Sequence, residues 1–132
     1  MASFAMTALS GWLAALLLGA NAYSPYFIRA TQGTVHARVA LFRGHYALGL
    51  LIPAAAFVHA WLPMSVGRVS RFDSAGLYLA TAALFIMLFQ VGLGMSLRGS
   101  TGKARRQGRR VHFWTMTLIV GLVAAHIFLN RA

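Results

Sequence analysis

The stretch Arg109-Arg110-Val111-His112, with the apolar run that carries it on to His126, decides how this sequence folds. Its two histidines stand 14 positions apart, and arginines crowd its entrance. The arrangement occurs once before, from Arg43-Gly44-His45 to His59, again 14 apart. Fourteen residues are two heptads, so in a left-handed helical bundle both histidines of a pair face the same way. At 1.5 Å per residue they lie roughly 21 Å apart along the axis, against a bilayer hydrocarbon core of about 30 Å.

Composition points to the same environment. The 132 residues are 59% hydrophobic and 10% charged, too apolar for an ordinary soluble domain and suited to one polytopic membrane domain spanning residues 1–132. Twelve Lys and Arg face a single acid, Asp73. In a soluble chain that balance would suggest nucleic acid. Here the charges sit in short connectors between long apolar runs, so they read as topology determinants and lipid-headgroup contacts, with no nucleic-acid partner. The absence of cysteine excludes disulfides, thiolate metal sites, iron–sulfur clusters and covalent c-type haem attachment.

Working outward along the chain, four apolar segments predict four transmembrane helices, at about 3–27, 39–62, 74–97 and 111–129. Ala20-Asn21-Ala22 has the small-residue spacing of a signal cleavage site, but Met1 to Ser10 carries no Lys or Arg, so the first segment reads as a retained helix. Gly11 and Gly19 would admit a neighbouring helix or a flat cofactor. Pro53 falls inside the second helix, where a membrane protein tolerates a kink. Gln90 is the one strongly polar interior residue of the third helix. Between these segments lie connectors at 28–38 and 63–73 and an arginine-rich loop at 98–110.

Four spans put both termini on one side. The connectors after helices one and three, with the start of helix two that holds Arg43, carry Arg29, Arg38, Arg43, Arg98, Lys103, Arg105, Arg106, Arg109 and Arg110; the opposite side carries Arg68, Arg71 and Arg131. The positive-inside rule places the first set in the cytoplasm and both termini outside, as in a bacterial inner membrane with periplasmic termini. Helices two and four then run parallel. A faint repeat supports two related hairpins: Arg29-Ala-Thr-Gln-Gly33 and Arg98-Gly-Ser-Thr-Gly102 each lead to Arg-x-His, at offsets of 69 and 67 residues.

Parallel second and fourth helices would bring His45 to His112 near the cytoplasmic side and His59 to His126 near the outer side. Four imidazoles in two matched pairs suit two non-covalent b-type haems, each bis-histidyl, held between helices two and four of an all-α four-helix membrane bundle. Arg43 and Arg110, each two residues before a ligand, are expected at the haem propionates, with Arg68, Arg71 and Arg131 as outer candidates. Pigment ligation would need only one imidazole per pigment. A metal or proton relay would call for carboxylates, and Asp73 reads as a helix N-cap. His36 lies in the cytoplasmic connector as a solvated or propionate-contacting residue, or as a proton carrier beside a quinone.

The two His-x13-His helices resemble the haem-binding core of the di-haem b-type cytochrome superfamily. That superfamily includes the cytochrome b of quinol-oxidising bc complexes and ferric-reductase-like membrane domains. His112-Phe113 through His126-Ile-Phe-Leu129 is similar in character to the fourth helix of bc-type cytochrome b, and Gly102 through His112 looks like the ferric-reductase type. The resemblance implies two b haems in a four-helix core, with His45, His59, His112 and His126 as ligands. The quinol-site Pro-Glu-Trp-Tyr motif of bc-type proteins is not in the sequence, nor is a nicotinamide- or flavin-binding pattern. The expected electron donor is therefore a quinol or a partner protein, with the chain expected as a subunit of a larger redox complex. A small oxidoreductase joining quinone to superoxide or ferric iron, and a haem- or pigment-bearing scaffold subunit, are the alternative readings.

Overall fold

The computed structural model describes residues 2–30, 35–65 and 74–129. Arg68, Arg71, Asp73 and Arg131, and the roles expected of them, lie outside the described residues. Four α-helices follow one another: α1 Ala2–Ala30, α2 Val35–Ser65, α3 Ser74–Gly99 and α4 Gly102–Leu129. Each contains a stretch long and apolar enough to cross a membrane. At 26 to 31 residues they are roughly 39 to 46 Å long, so their ends extend beyond a hydrocarbon core of about 30 Å.

The chain divides into two compact units, one holding α1 and α2 and the other α3 and α4. Each is an antiparallel helical hairpin. In the first, Ser10 meets His59 and Ser24 meets His45. In the second, Gly76 meets His126 and Gln90 meets His112. The residues that turn inward recur at steps of three, four and seven, as at a coiled-coil seam. They include Leu18, Asn21 and Ile28 on α1, Ile52 on α2, Ala83, Met87 and Gln90 on α3, and Ile119 on α4, all buried. Inside lipid no water is expelled when helices meet, so close packing and interhelical hydrogen bonds hold such seams. Gly108 serves that packing: a Cβ there would stand 2.8 Å from Leu97 Cδ2.

The helix cores lie where the apolar segments predict, but the ends differ. α4 starts at Gly102 and not near 111, so Lys103 to Arg110 form its first turns and not a loop. Lys and Arg are strong helix formers, and a charged segment outside the hydrocarbon can remain helical. Only Ser100 and Thr101 separate α3 from α4, and Gly102 makes the turn with φ +55°, a conformation that favours glycine. The Arg105 amide then donates to the Thr101 carbonyl at 3.2 Å, closing the first turn. α2 likewise begins at Val35, taking His36 and Arg38 out of the expected connector and onto the helix. Pro25 and Pro53 lie within unbroken helices.

Candidate functional site

All four paired histidines sit on the second helix of a hairpin, half-buried on the seam side. In the first hairpin both rings are held in the same way. His59 Nδ1 lies 3.1 Å from the Thr7 carbonyl and 3.2 Å from Ser10 Oγ, while Ser10 Oγ donates to that same carbonyl at 2.9 Å. Fourteen residues further along α1 the pattern recurs. His45 Nδ1 lies 2.7 Å from Ser24 Oγ, which donates to the Asn21 carbonyl at 2.8 Å, and His45 bonds the Asn21 backbone as well.

Proline explains why the second carbonyl is available. Pro25 has no N–H, so the Asn21 carbonyl four residues earlier has no helical donor and is left to Ser24 and His45.

These bonds determine where the ring protons are. A carbonyl only accepts, and each serine has already committed its proton to one. Nδ1 must therefore be the donor in His59 and His45. His126 follows the same logic, with Nδ1 at 3.0 Å from the Gly76 carbonyl. A neutral ring held in this way keeps its lone pair on Nε2. Fixing one ring nitrogen by a hydrogen bond so that the other ligates is how proteins orient metal-binding histidines.

His112 is held through its main chain. Gln90, buried in α3, donates Nε2 to the His112 carbonyl at 2.8 Å and accepts at Oε1 from the Thr115 hydroxyl. Thr115 Oγ1 also lies 2.9 Å from the Val111 carbonyl. Two glycines make room for rings. A Cβ on Gly11 would stand 2.8 Å from His59 Cε1, and one on Gly94 would stand 3.4 Å from His112 Cε1. Gly11 thus admits a flat group as its size suggests, and that group is a histidine. Gly19 has nothing within 4 Å of a built Cβ.

Arg43 and Arg110 are on the helices, but not on the histidine face. Two residues turn an α-helix by about 200°, so each points from the flank opposite its neighbouring histidine. Arg110 lines an open groove along α4 with Lys103, Arg106 and Trp114. His36 lies on the exposed first turn of α2. Among the described residues no three His, Cys, Asp or Glu side chains gather as a metal-holding group.

Compared with protein-family models, with curated proteins and with solved structures, the chain matches none.

Reading the sequence for histidines alone misses the groups that hold them. A signal for those groups was present. Ser10 and Ser24 are 14 apart, as are Thr7 and Asn21, and Gly76 and Gln90, each set matching the spacing of the histidines opposite.

Proposed function

We propose that this chain carries electrons across a membrane through two b-type haems, with His45 and His112 ligating one and His59 and His126 the other. The reading needs α2 and α4 to be parallel neighbours, with the arginine-rich ends in the cytoplasm and the termini on the periplasmic side. One observation carries it above the rest. Paired histidines recur at two-heptad spacing on two helices, and three of the four have Nδ1 tied to the adjacent helix, so that Nε2 is the ligating nitrogen.

The residues fit such a group in donor chemistry, as imidazole nitrogens in two matched pairs. A haem with both axial positions filled supplies a one-electron couple without an open coordination site. The chain's part is to fix the imidazoles in one tautomer, admit their rings beside glycine, and exclude water with an apolar surround. Ile52 and Ile119 are buried midway between the two histidine levels, so apolar packing separates them. The levels are roughly 21 Å apart along the helix axis. Electrons would enter from a quinol or a partner protein and leave to an acceptor on the other side, with the chain acting as a subunit of a larger redox complex.

Reduced-minus-oxidised spectra of the purified protein test the proposal. The expected result is b-type bands with two haems per chain. A protein purified from haem-replete cells without such bands would overturn it.

A further inference from the structure

The charged end of α4 is not uniform around the helix axis. Lys103, Arg106, Arg110 and Trp114 follow one another at steps of three, four and four. At about 100° per residue these steps keep all four within roughly 80° of one another. Gly108 and His112, which pack against Leu97 and Gly94 of α3, stand on nearly the opposite side. The stripe is therefore the face of α4 turned away from its hairpin partner. Its four side chains are exposed and line one open groove, while Arg105 and Arg109 lie off it. Past Trp114 the same direction continues in heptad steps through Gly121 to Phe128. Trp114 is 59% exposed and Phe128 77% exposed, and a Cβ on Gly121 would meet nothing within 4 Å. Two uncovered rings thus stand about 21 Å apart along the axis, with bare backbone midway between them.

Depth sorts these residues as the parts of a phospholipid are sorted. The apolar run of α4 begins at Val111, so Arg110 stands at its edge and Arg106 one turn, about 6 Å, further out. A headgroup layer is about 5 to 8 Å thick on each side of the hydrocarbon, so both guanidiniums fall within it. As i, i+4 neighbours they can share one phosphate. Trp114 lies about 6 Å inward, where amphipathic rings settle, and Gly121 about 10 Å deeper. Among the described residues no side chain is acidic, so none of them competes with an anion for the stripe. A zwitterionic headgroup brings an ammonium that these cations repel, whereas an anionic one brings charge of the complementary sign only.

We propose that this face of α4 binds one anionic phospholipid, with its phosphodiester between Arg106 and Arg110, its glycerol beside Trp114 and one acyl chain over Gly121. Arginines that merely anchor a helix end can do so from any side of it. Their alignment with Trp114 and with the bare glycine is what selects a lipid. The site uses none of the paired histidines and stands whether or not the chain carries haem.

The test uses the full chain carrying Trp12→Phe and Trp61→Phe, which leaves Trp114 as its one tryptophan. The protein is reconstituted in phosphatidylcholine vesicles containing a rising fraction of phosphatidylglycerol brominated on its acyl chains, or of phosphatidylcholine brominated in the same way. Bound brominated lipid quenches Trp114 fluorescence. Each cation near an anionic headgroup contributes about fivefold, so half-maximal quenching is expected at a roughly 25-fold lower fraction of the phosphatidylglycerol. Arg106→Gln combined with Arg110→Gln should abolish that preference. Arg105→Gln combined with Arg109→Gln removes as much charge and should keep it. If a double variant does not accumulate, the single substitutions decide, with about fivefold lost in Arg106→Gln or Arg110→Gln and little in Arg105→Gln. Three results would overturn the proposal: equal quenching by the two lipids, equal loss in both sets of variants, or no quenching by either lipid because a second copy or the other hairpin covers this face.

Discussion

The two hairpins carry the same column of histidine, isoleucine and histidine, yet they hold it by different means. Hairpin one grips its rings. A serine hydroxyl and a backbone carbonyl meet each imidazole, at Thr7 and Ser10 for His59 and at Asn21 and Ser24 for His45. Hairpin two uses a backbone carbonyl for His126, but for His112 it fastens the helix itself, through Gln90 and Thr115. The buried amides Asn21 and Gln90 occupy matching places, 69 residues apart, each opposite an inner histidine. Their use differs: Asn21 contributes its main-chain carbonyl, and Gln90 contributes its side chain. The histidine column is repeated while the residues supporting it are not, so equivalent substitutions should have unequal effects.

On the proposed reading, replacing one of the four histidines is expected to have the largest consequence, and to affect the hairpins alike. His59→Ala and His126→Ala should each reduce the haem content from two per chain to one, as counted by pyridine haemochrome, with the inner haem retained. Loss of both haems in either protein would break the assignment of partners.

The glycines separate the hairpins next. Gly11→Ala places a methyl 2.8 Å from the His59 ring, and the ring must move. Disturbing the orientation of a ligand in this way typically costs 10- to 100-fold in affinity, so outer-haem retention should fall by about that much. Gly94→Ala, at 3.4 Å from His112, should be nearly silent in the same assay. Equal losses in the two proteins would mean that the hairpins hold their rings alike after all.

A smaller contrast lies in the hydrogen bonds. Ser24→Ala removes one acceptor of His45 Nδ1 and leaves the Asn21 carbonyl, so haem affinity at that level should fall by roughly tenfold, the lower end for a supporting residue. Gln90→Leu touches no ring. It should lower hairpin stability by about 1 kcal/mol, the scale of an interhelical hydrogen bond in a membrane, with the redox potentials unmoved. Unfolding in mixed micelles measures the first quantity and optical titration the second. A potential shift in Gln90→Leu comparable with that of Ser24→Ala would erase the distinction between gripping a ring and fastening a helix.

Much of this was legible from residue order. Hydropathy located four helices, and the doubled histidine spacing identified the columns. The start of α4 was not legible, because a dense run of arginines looks like a loop to any reading that follows apolarity. Lys103 to Arg110 are nonetheless helical, by propensity and by the tight turn at Gly102. The supporting residues were hidden for another reason. Whether Ser10 or its neighbours face His59 depends on how α1 is rotated against α2, and that rotation is set by packing around Gly11, Leu18 and Asn21 together. Once the facing residues are known, the 14-residue echo along α1 is plain, but serine is too common for that echo to stand out beforehand.

The hydrogen bonds that orient the histidines join helices that are neighbours in the chain, and this bears on biosynthesis. Each hairpin can settle its imidazoles as soon as its second helix enters the bilayer, without waiting for the other half to be translated. Such sequence-local contacts form quickly, since little chain must be closed to make them. On the proposed reading, cofactor insertion becomes a late step that joins two prepared halves. Co-expressing the halves as separate polypeptides should then restore a haem protein that neither half makes alone.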